Sequence, residues 1–154
     1  MDSSDLDPEL REATMKGPSF NLEKPFVRWA MASFSRFVPG TKTVGVERRL
    51  IRDGAVRLRL FIPQNASGAG LLWMHGGGLV LGSAAIDDAF CGETASKTGA
   101  VVVSVDYRLA PRHPFPEPLD DCYNAYQWML THAGELGLDS SRFAIGGQSA
   151  GGGL

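Results

Sequence analysis

In Phe143-Ala144-Ile145-Gly146-Gly147-Gln148-Ser149-Ala150-Gly151-Gly152 an apolar run turns abruptly into small residues. The run is bounded by Asp139, Ser140 and Ser141 and predicts a buried strand, and the break that follows is centred on a serine. Gly147, Ser149 and Gly151 have the spacing GxSxG. A serine on a sharp strand-to-helix turn needs that spacing, because side chains two residues before and two after it would collide with neighbouring backbone. Glycine removes the collision, pushes the hydroxyl out above the sheet and leaves the N–H of Ala150 pointing toward an oxygen held over the serine. In a chain of 154 residues with 19 glycines the same pattern also fits a glycine-rich loop with a surface serine, so its meaning depends on the segments before it.

Moving outward from the serine, strands and helices alternate. A helix opened by Pro118 carries Leu119, Cys122, Tyr123, Tyr126, Met129 and Leu130 at helical spacing and ends at Gly134. Ahead of it, Val101-Val102-Val103-Ser104-Val105 predicts a buried strand that runs into Asp106-Tyr107-Arg108-Leu109-Ala110-Pro111. Asp87-Asp88 start another helix, with Phe90, Cys91, Thr94 and Ala95 on one side and Gly99 closing it. Leu71-Leu72-Trp73-Met74 has no polar face and predicts a strand buried on both sides, followed by His75-Gly76-Gly77-Gly78. Strands over 44–52 and 56–62 flank Asp53-Gly54, a hairpin signal; in the second, Val56, Leu58, Leu60 and Ile62 face one way and Arg57, Arg59 and Phe61 the other. The βαβ pattern from Leu71 onward predicts an α/β fold with a mainly parallel sheet and flanking helices. Two helices are expected before the sheet, one from Asp7-Pro8 through Met15 and one from Pro25 through Phe37 to the Pro39-Gly40 stop, which divides the chain into 1–40 and 41–154.

Composition narrows the partners. With 44% apolar and 21% charged residues the chain suits one globular domain, and a net charge of −2 gives no reason to expect nucleic acid or an anionic membrane. Arg48, Arg49, Arg52, Arg57 and Arg59 share their region with Glu47 and Asp53 and read as a solvated strand face. Cys91 and Cys122 fit no CxxC spacing and read as small buried hydrophobes in a reduced protein, and neither a metal site nor a cofactor is expected. The N-terminus is acidic and is followed by no apolar stretch of the signal-peptide kind, and no apolar run approaches the ~18 residues that span a bilayer. A cytoplasmic location is therefore expected, with Asn65-Ala66-Ser67 as a polar turn rather than a glycosylation acceptor. Nothing in the sequence sets an oligomeric state.

Three consecutive glycines at the end of a buried strand expose backbone N–H groups that no Cβ shields. Such a run suits a phosphate or an oxyanion. Neither this run nor the later one completes GxGxxG, and neither precedes the Lys-Ser/Thr of a P-loop, so a phosphate cradle is not expected. The remaining use is a pair of donors acting together with Ala150. His75 reads as the residue that fixes this turn.

The segments His75-Gly76-Gly77-Gly78, Asp106-Tyr107-Arg108-Leu109-Ala110-Pro111 with its Pro-Phe-Pro continuation, and Gly147-Gln148-Ser149-Ala150-Gly151-Gly152, in that order and spacing, resemble the hormone-sensitive-lipase-like branch of the α/β-hydrolases. The resemblance runs from about residue 40 to the end, and 1–40 looks like that branch's N-terminal cap. It implies hydrolysis of carboxylic esters with short or medium acyl groups, with a small-molecule ester as substrate. It also implies Ser149 as nucleophile and the N–H groups of Gly77, Gly78 and Ala150 as the oxyanion hole. Two positions depart from the branch: Gln148 stands where Asp is usual, and Arg112 where Glu is usual. Neither removes the nucleophile or its donors, but both change the hydrogen bonds available around the elbow.

In this family the triad order is Ser, then Asp or Glu, then His, and no such pair follows Ser149 in these 154 residues. His113 and His132 precede the serine and read as structural or exposed. The polypeptide as written is thus expected to be a piece of the fold, essentially inactive, with its elbow strand an unpaired edge that lowers solubility. A second reading is a non-catalytic small-molecule receptor, because plant gibberellin receptors resemble the same branch and lack the catalytic histidine. A third is an α/β domain that only binds a partner.

Overall fold

The hairpin at Asp53-Gly54 starts the sheet. In the computed structural model, which describes residues 40–154 together with Asp7, Lys24, Phe26, Val27 and Ala30, β1 (Val46–Asp53) and β2 (Val56–Pro63) pair antiparallel with Asp53 opposite Val56. Phe26, Val27 and Ala30 are helical; the rest of the two leading helices lies outside the described residues.

β3 (Gly70–Met74), β4 (Val101–Val105) and β5 (Phe143–Gly147) complete a five-stranded sheet of order β1-β2-β4-β3-β5. β2 meets β4 antiparallel, while β3 lies parallel to both β4 and β5. The helices are α1 (Asp88–Thr98), α2 (Glu117–Thr131) and the short α3 (Ala150–Gly153). Gly99 closes α1 in the left-handed conformation, and Pro118 sits in the first turn of α2. This is the expected α/β architecture, with an antiparallel hairpin added to a parallel core.

Both faces of the central strands are covered, which accounts for their apolar sequences. On one side Leu58, Leu60, Leu72, Met74, Val101, Val103 and Val105 pack against Cys122, Ala125, Trp128 and Met129 of α2. On the other, Phe61 and Val102 meet Cys91 and Ala95 of α1, with Leu71 and Trp73 alongside. Burial pushes both thiols up to about 12, so each cysteine is an uncharged hydrophobe at neutral pH.

Three expectations are corrected. The strand that delivers Ser149 is not buried: it is the expected edge of the described sheet, and Ile145 is 60% exposed. On α2, Cys122 and Met129 face inward as expected, but Leu119 and Tyr123 face outward, and Asp121, Ala125 and Trp128 are buried in their place. The rotation follows from Asp121, which is drawn inward to bind Arg108 and carries its neighbours with it. The arginine face of the hairpin is not all solvated. Arg59 donates through Nε (2.7 Å) and Nη2 (2.5 Å) to the buried carboxylate of Asp88, and Arg48 joins through Nη1 at 2.6 Å. Asp88 therefore ties the start of α1 to both hairpin strands.

Candidate active site

β3 and β5 run side by side, with Met74 opposite Gly147. Parallel neighbours end at the same edge of a sheet, so the chain leaving β3 at His75 and the chain leaving β5 at Gln148 emerge next to each other. The N–H of Gln148 donates to the carbonyl of Met74 at 3.0 Å, which continues the pairing one residue past the strand.

The next residue, Ser149, has φ 50° and ψ −117°, and Leu79 is the other non-glycine with positive φ among the described residues. A side chain held there costs roughly 1–3 kcal/mol, so surrounding packing must enforce it. That packing is visible at the flanking glycines. A Cβ on Gly151 would run into the carbonyls of Met74 and His75, and one on Gly147 would run into the backbone of Gly151. The helix start thus lies directly on the end of β3. Ser149 is exposed, and its hydroxyl does not cap α3, so the oxygen projects from the tip of the turn.

The glycine turn lies against this elbow. A Cβ on Gly76 would come within 3.2 Å of the carbonyl oxygen of Gln148. Gly77, at φ 125°, bends the chain back so that its carbonyl accepts from the N–H groups of Val80 (3.2 Å) and Leu81 (2.9 Å). The N–H groups of Gly77, Gly78 and Ala150 donate to no backbone carbonyl among the described residues. Three unspent donors thus lie on two adjoining turns beside an exposed hydroxyl.

His75 lies beneath the turn, 1% exposed. Its Nδ1 is 2.7 Å from the carbonyl of Gly76 and so carries the proton, while Nε2 is buried without a partner among the described residues. Burial lowers its pKa from the ordinary imidazole value, keeping it neutral. The ring stacks on Tyr107 with centroids 4.2 Å apart, and the Tyr107 hydroxyl donates to the His75 carbonyl at 2.6 Å. His113 contacts Glu117 at 2.8 Å, and His132 contacts the Trp128 carbonyl at 2.9 Å. Each of the three histidines in the sequence thus has its Nδ1 engaged by a group other than Ser149, and among the described residues none is hydrogen-bonded to Ser149.

The Asp106–Pro111 segment was legible as a motif but not as a set of contacts. Arg108 holds Asp121 through Nη2 (2.7 Å) and Nε (2.9 Å), and Glu117 through Nη1 (2.5 Å), which fixes the segment to α2. These carboxylates raise the Arg108 pKa further, so the cation is permanent. Among the described residues no three His, Cys, Asp or Glu side chains are grouped as metal ligands would be, and no helix is long and apolar enough to cross a membrane.

A family model described as the alpha/beta hydrolase fold matches residues 71–154. An ethyl acetate hydrolase of Pseudomonas putida is 42% identical over 108 residues, 67% of this chain and 34% of that protein. A carboxylesterase, NlhH, of Mycobacterium tuberculosis is 46% identical over 84 residues, 54% of this chain and 26% of that protein. Among solved structures, a bacterial heroin esterase superposes with a TM-score of 0.79 at 41% identity, covering 96% of this chain and 50% of its own. The chain thus spans about half of that solved chain, and its matched part about a third or less of these curated relatives. The chain belongs to the alpha/beta hydrolase fold family, in the hormone-sensitive-lipase-like branch of carboxylesterases that its glycine turn and serine motif resemble.

Proposed function

We propose that the protein to which this chain belongs hydrolyses carboxylic esters with short or medium acyl groups through an acyl-enzyme on Ser149. The observation that carries the reading is the strained, exposed Ser149 between two glycines packed against the end of β3, beside a turn with unspent N–H groups. In this mechanism Ser149 Oγ attacks the ester carbonyl carbon and gives up its proton to a general base. The carbonyl oxygen becomes an oxyanion bound by the N–H groups of Gly77, Gly78 and Ala150, each of which is worth roughly 3–4 kcal/mol to the transition state. The alcohol then leaves with a proton, and water releases the acid from Ser149.

We assign the base to none of the three histidines in this sequence, because none is hydrogen-bonded to Ser149 among the described residues. We accordingly assign no hydrolytic turnover to the 154-residue chain on its own, and give residues 1–40 the part of a cap over the site. The ester class follows the relatives, among them an ethyl acetate hydrolase and an arylesterase of Saccharolobus solfataricus.

The test uses the full-length protein and a fluorophosphonate, whose fluoride is displaced by an activated serine. Labelling should map to Ser149, and Ser149→Ala should abolish both labelling and hydrolysis of p-nitrophenyl acetate and butyrate. A folded full-length protein that takes no label and cleaves neither ester would overturn the proposal and favour a binding role for the same fold.

A further inference from the structure

The glycine turn has few backbone bonds of its own. Between His75 and Ala84 it contains two internal backbone hydrogen bonds, both to the Gly77 carbonyl, and Leu79 sits at φ 64°, a strained value for a branched side chain. What grips it is the chain leaving β4. The Tyr107 hydroxyl donates to the His75 carbonyl at 2.6 Å, the Ala110 N–H donates to the Leu79 carbonyl at 2.9 Å, and the Asp106 Oδ1 accepts from the Ala84 N–H at 3.1 Å. Those contacts reach the start, middle and end of the turn. The clasping segment is itself immobilised, with Arg57 on Asp106 at 3.3 Å and Arg108 on Asp121 of α2.

We infer that Asp106–Ala110 is a clamp that positions the oxyanion donors, and that Tyr107 is its principal positioning residue. The inference rests on the proposed role of Gly77 and Gly78 and deepens it. Tyr107 is 3% exposed and meets the turn twice, by stacking on the neutral His75 ring and by its hydroxyl. The stack needs only an aromatic ring. The hydroxyl bond needs tyrosine, and it sets the height of the His75 carbonyl from which Gly76, Gly77 and Gly78 hang. Oxyanion donors act only when held in place before the charge develops, so slack in this bond is felt at the transition state more than in substrate binding.

The experiment compares full-length wild type, Tyr107→Phe, Asp106→Ala, Asp106→Asn and, as a solvent-face control, Tyr123→Phe. Loss of one buried hydrogen bond predicts that Tyr107→Phe slows fluorophosphonate labelling and lowers kcat by about five- to tenfold, with KM within about twofold of wild type. Amide exchange at Val80, Leu81 and Ala110 should accelerate by about the same factor, with the Leu60 and Val103 amides of the sheet unchanged. Asp106→Ala should loosen Ala84 and slow labelling, Asp106→Asn, which keeps the acceptor oxygen, should restore both, and Tyr123→Phe should match wild type.

Unchanged turn exchange in Tyr107→Phe would overturn the clamp. Faster turn exchange with unchanged labelling would overturn its catalytic use, as would exchange raised equally throughout the molecule, which marks general destabilisation. Absence of label in the wild type would instead sink the Ser149 reading and with it the catalytic use, while the exchange data still decide whether the segment holds the turn.

Discussion

Single atoms decide whether Ser149 can stand where it does. Gly151 has no room for a methyl group: the obstacles are the carbonyl oxygens of Met74, at the end of β3, and of His75, held by the Tyr107 hydroxyl, so no flexible side chain can yield. Gly134 has open space within 4 Å of its would-be Cβ and is not in the left-handed region. The two positions form an internal comparison. Gly151→Ala should destabilise the protein by about 2–3 kcal/mol, as overpacking against an unyielding neighbour does, and should abolish labelling of Ser149. Gly134→Ala should stay within about 0.5 kcal/mol of wild type. Urea unfolding midpoints with the slope held constant measure both. Equal midpoints would show that the elbow tolerates a Cβ and that Gly151 is not what shapes it.

The elements show what a linear reading reaches and what escapes it. The boundaries of β2, β4 and the Gly99 stop of α1 could be read from sequence, because hydrophobic period and turn chemistry are local properties. The inward face of α2 and the fate of the arginines could not, since both depend on ion pairs between residues far apart in sequence. Asp121 looks like a surface residue until Arg108, thirteen positions earlier, is placed beside it. In the same way the GxSxG and HGGG segments were visible as patterns, while the bond from Tyr107 to His75 spans 32 positions and has no sequence signal. Asp88 gives the elements their own prediction. It is 1% exposed and receives Arg59 and Arg48, whose side chains are 16% and 26% exposed. Removing it strands two cations in partly buried positions, so Asp88→Ala should cost about 3 kcal/mol and loosen α1 from the hairpin. Because Asp88 and Arg59 share one network, the double variant Asp88→Ala/Arg59→Met should be more stable than the sum of the two singles predicts, by about 1–3 kcal/mol. Strict additivity in chemical denaturation would mean that this pair does not hold the helix to the sheet.

Over the whole molecule, solubility and folding stability both turn on proton uptake in the same acid range, and the structure separates them. The chain carries −2 at pH 7 and its isoelectric point is near 5.9, so mutual repulsion between molecules vanishes as the pH falls toward 6. Stability falls over that range for a different reason. His75 is buried against Tyr107 with Nε2 unpartnered, and desolvation holds its pKa below the ordinary value, whereas in the unfolded chain it titrates near about 6.5. Between those two values the unfolded state binds the extra proton and the folded state does not. Stability is therefore full above about pH 6.5 and declines as the pH is lowered toward the folded pKa. Protonation that does occur in the folded state buries an unpaired charge beneath the glycine turn, so the turn should loosen before the sheet does. His75→Asn removes the titrating group and keeps a side-chain N–H for the Gly76 carbonyl. Urea unfolding from pH 7.5 to 5.5 should show a decline in wild type that is flattened in His75→Asn, while the solubility minimum near the isoelectric point persists in both. If the decline is the same in the two proteins, protons bound elsewhere set the acid limit, and the buried imidazole does not.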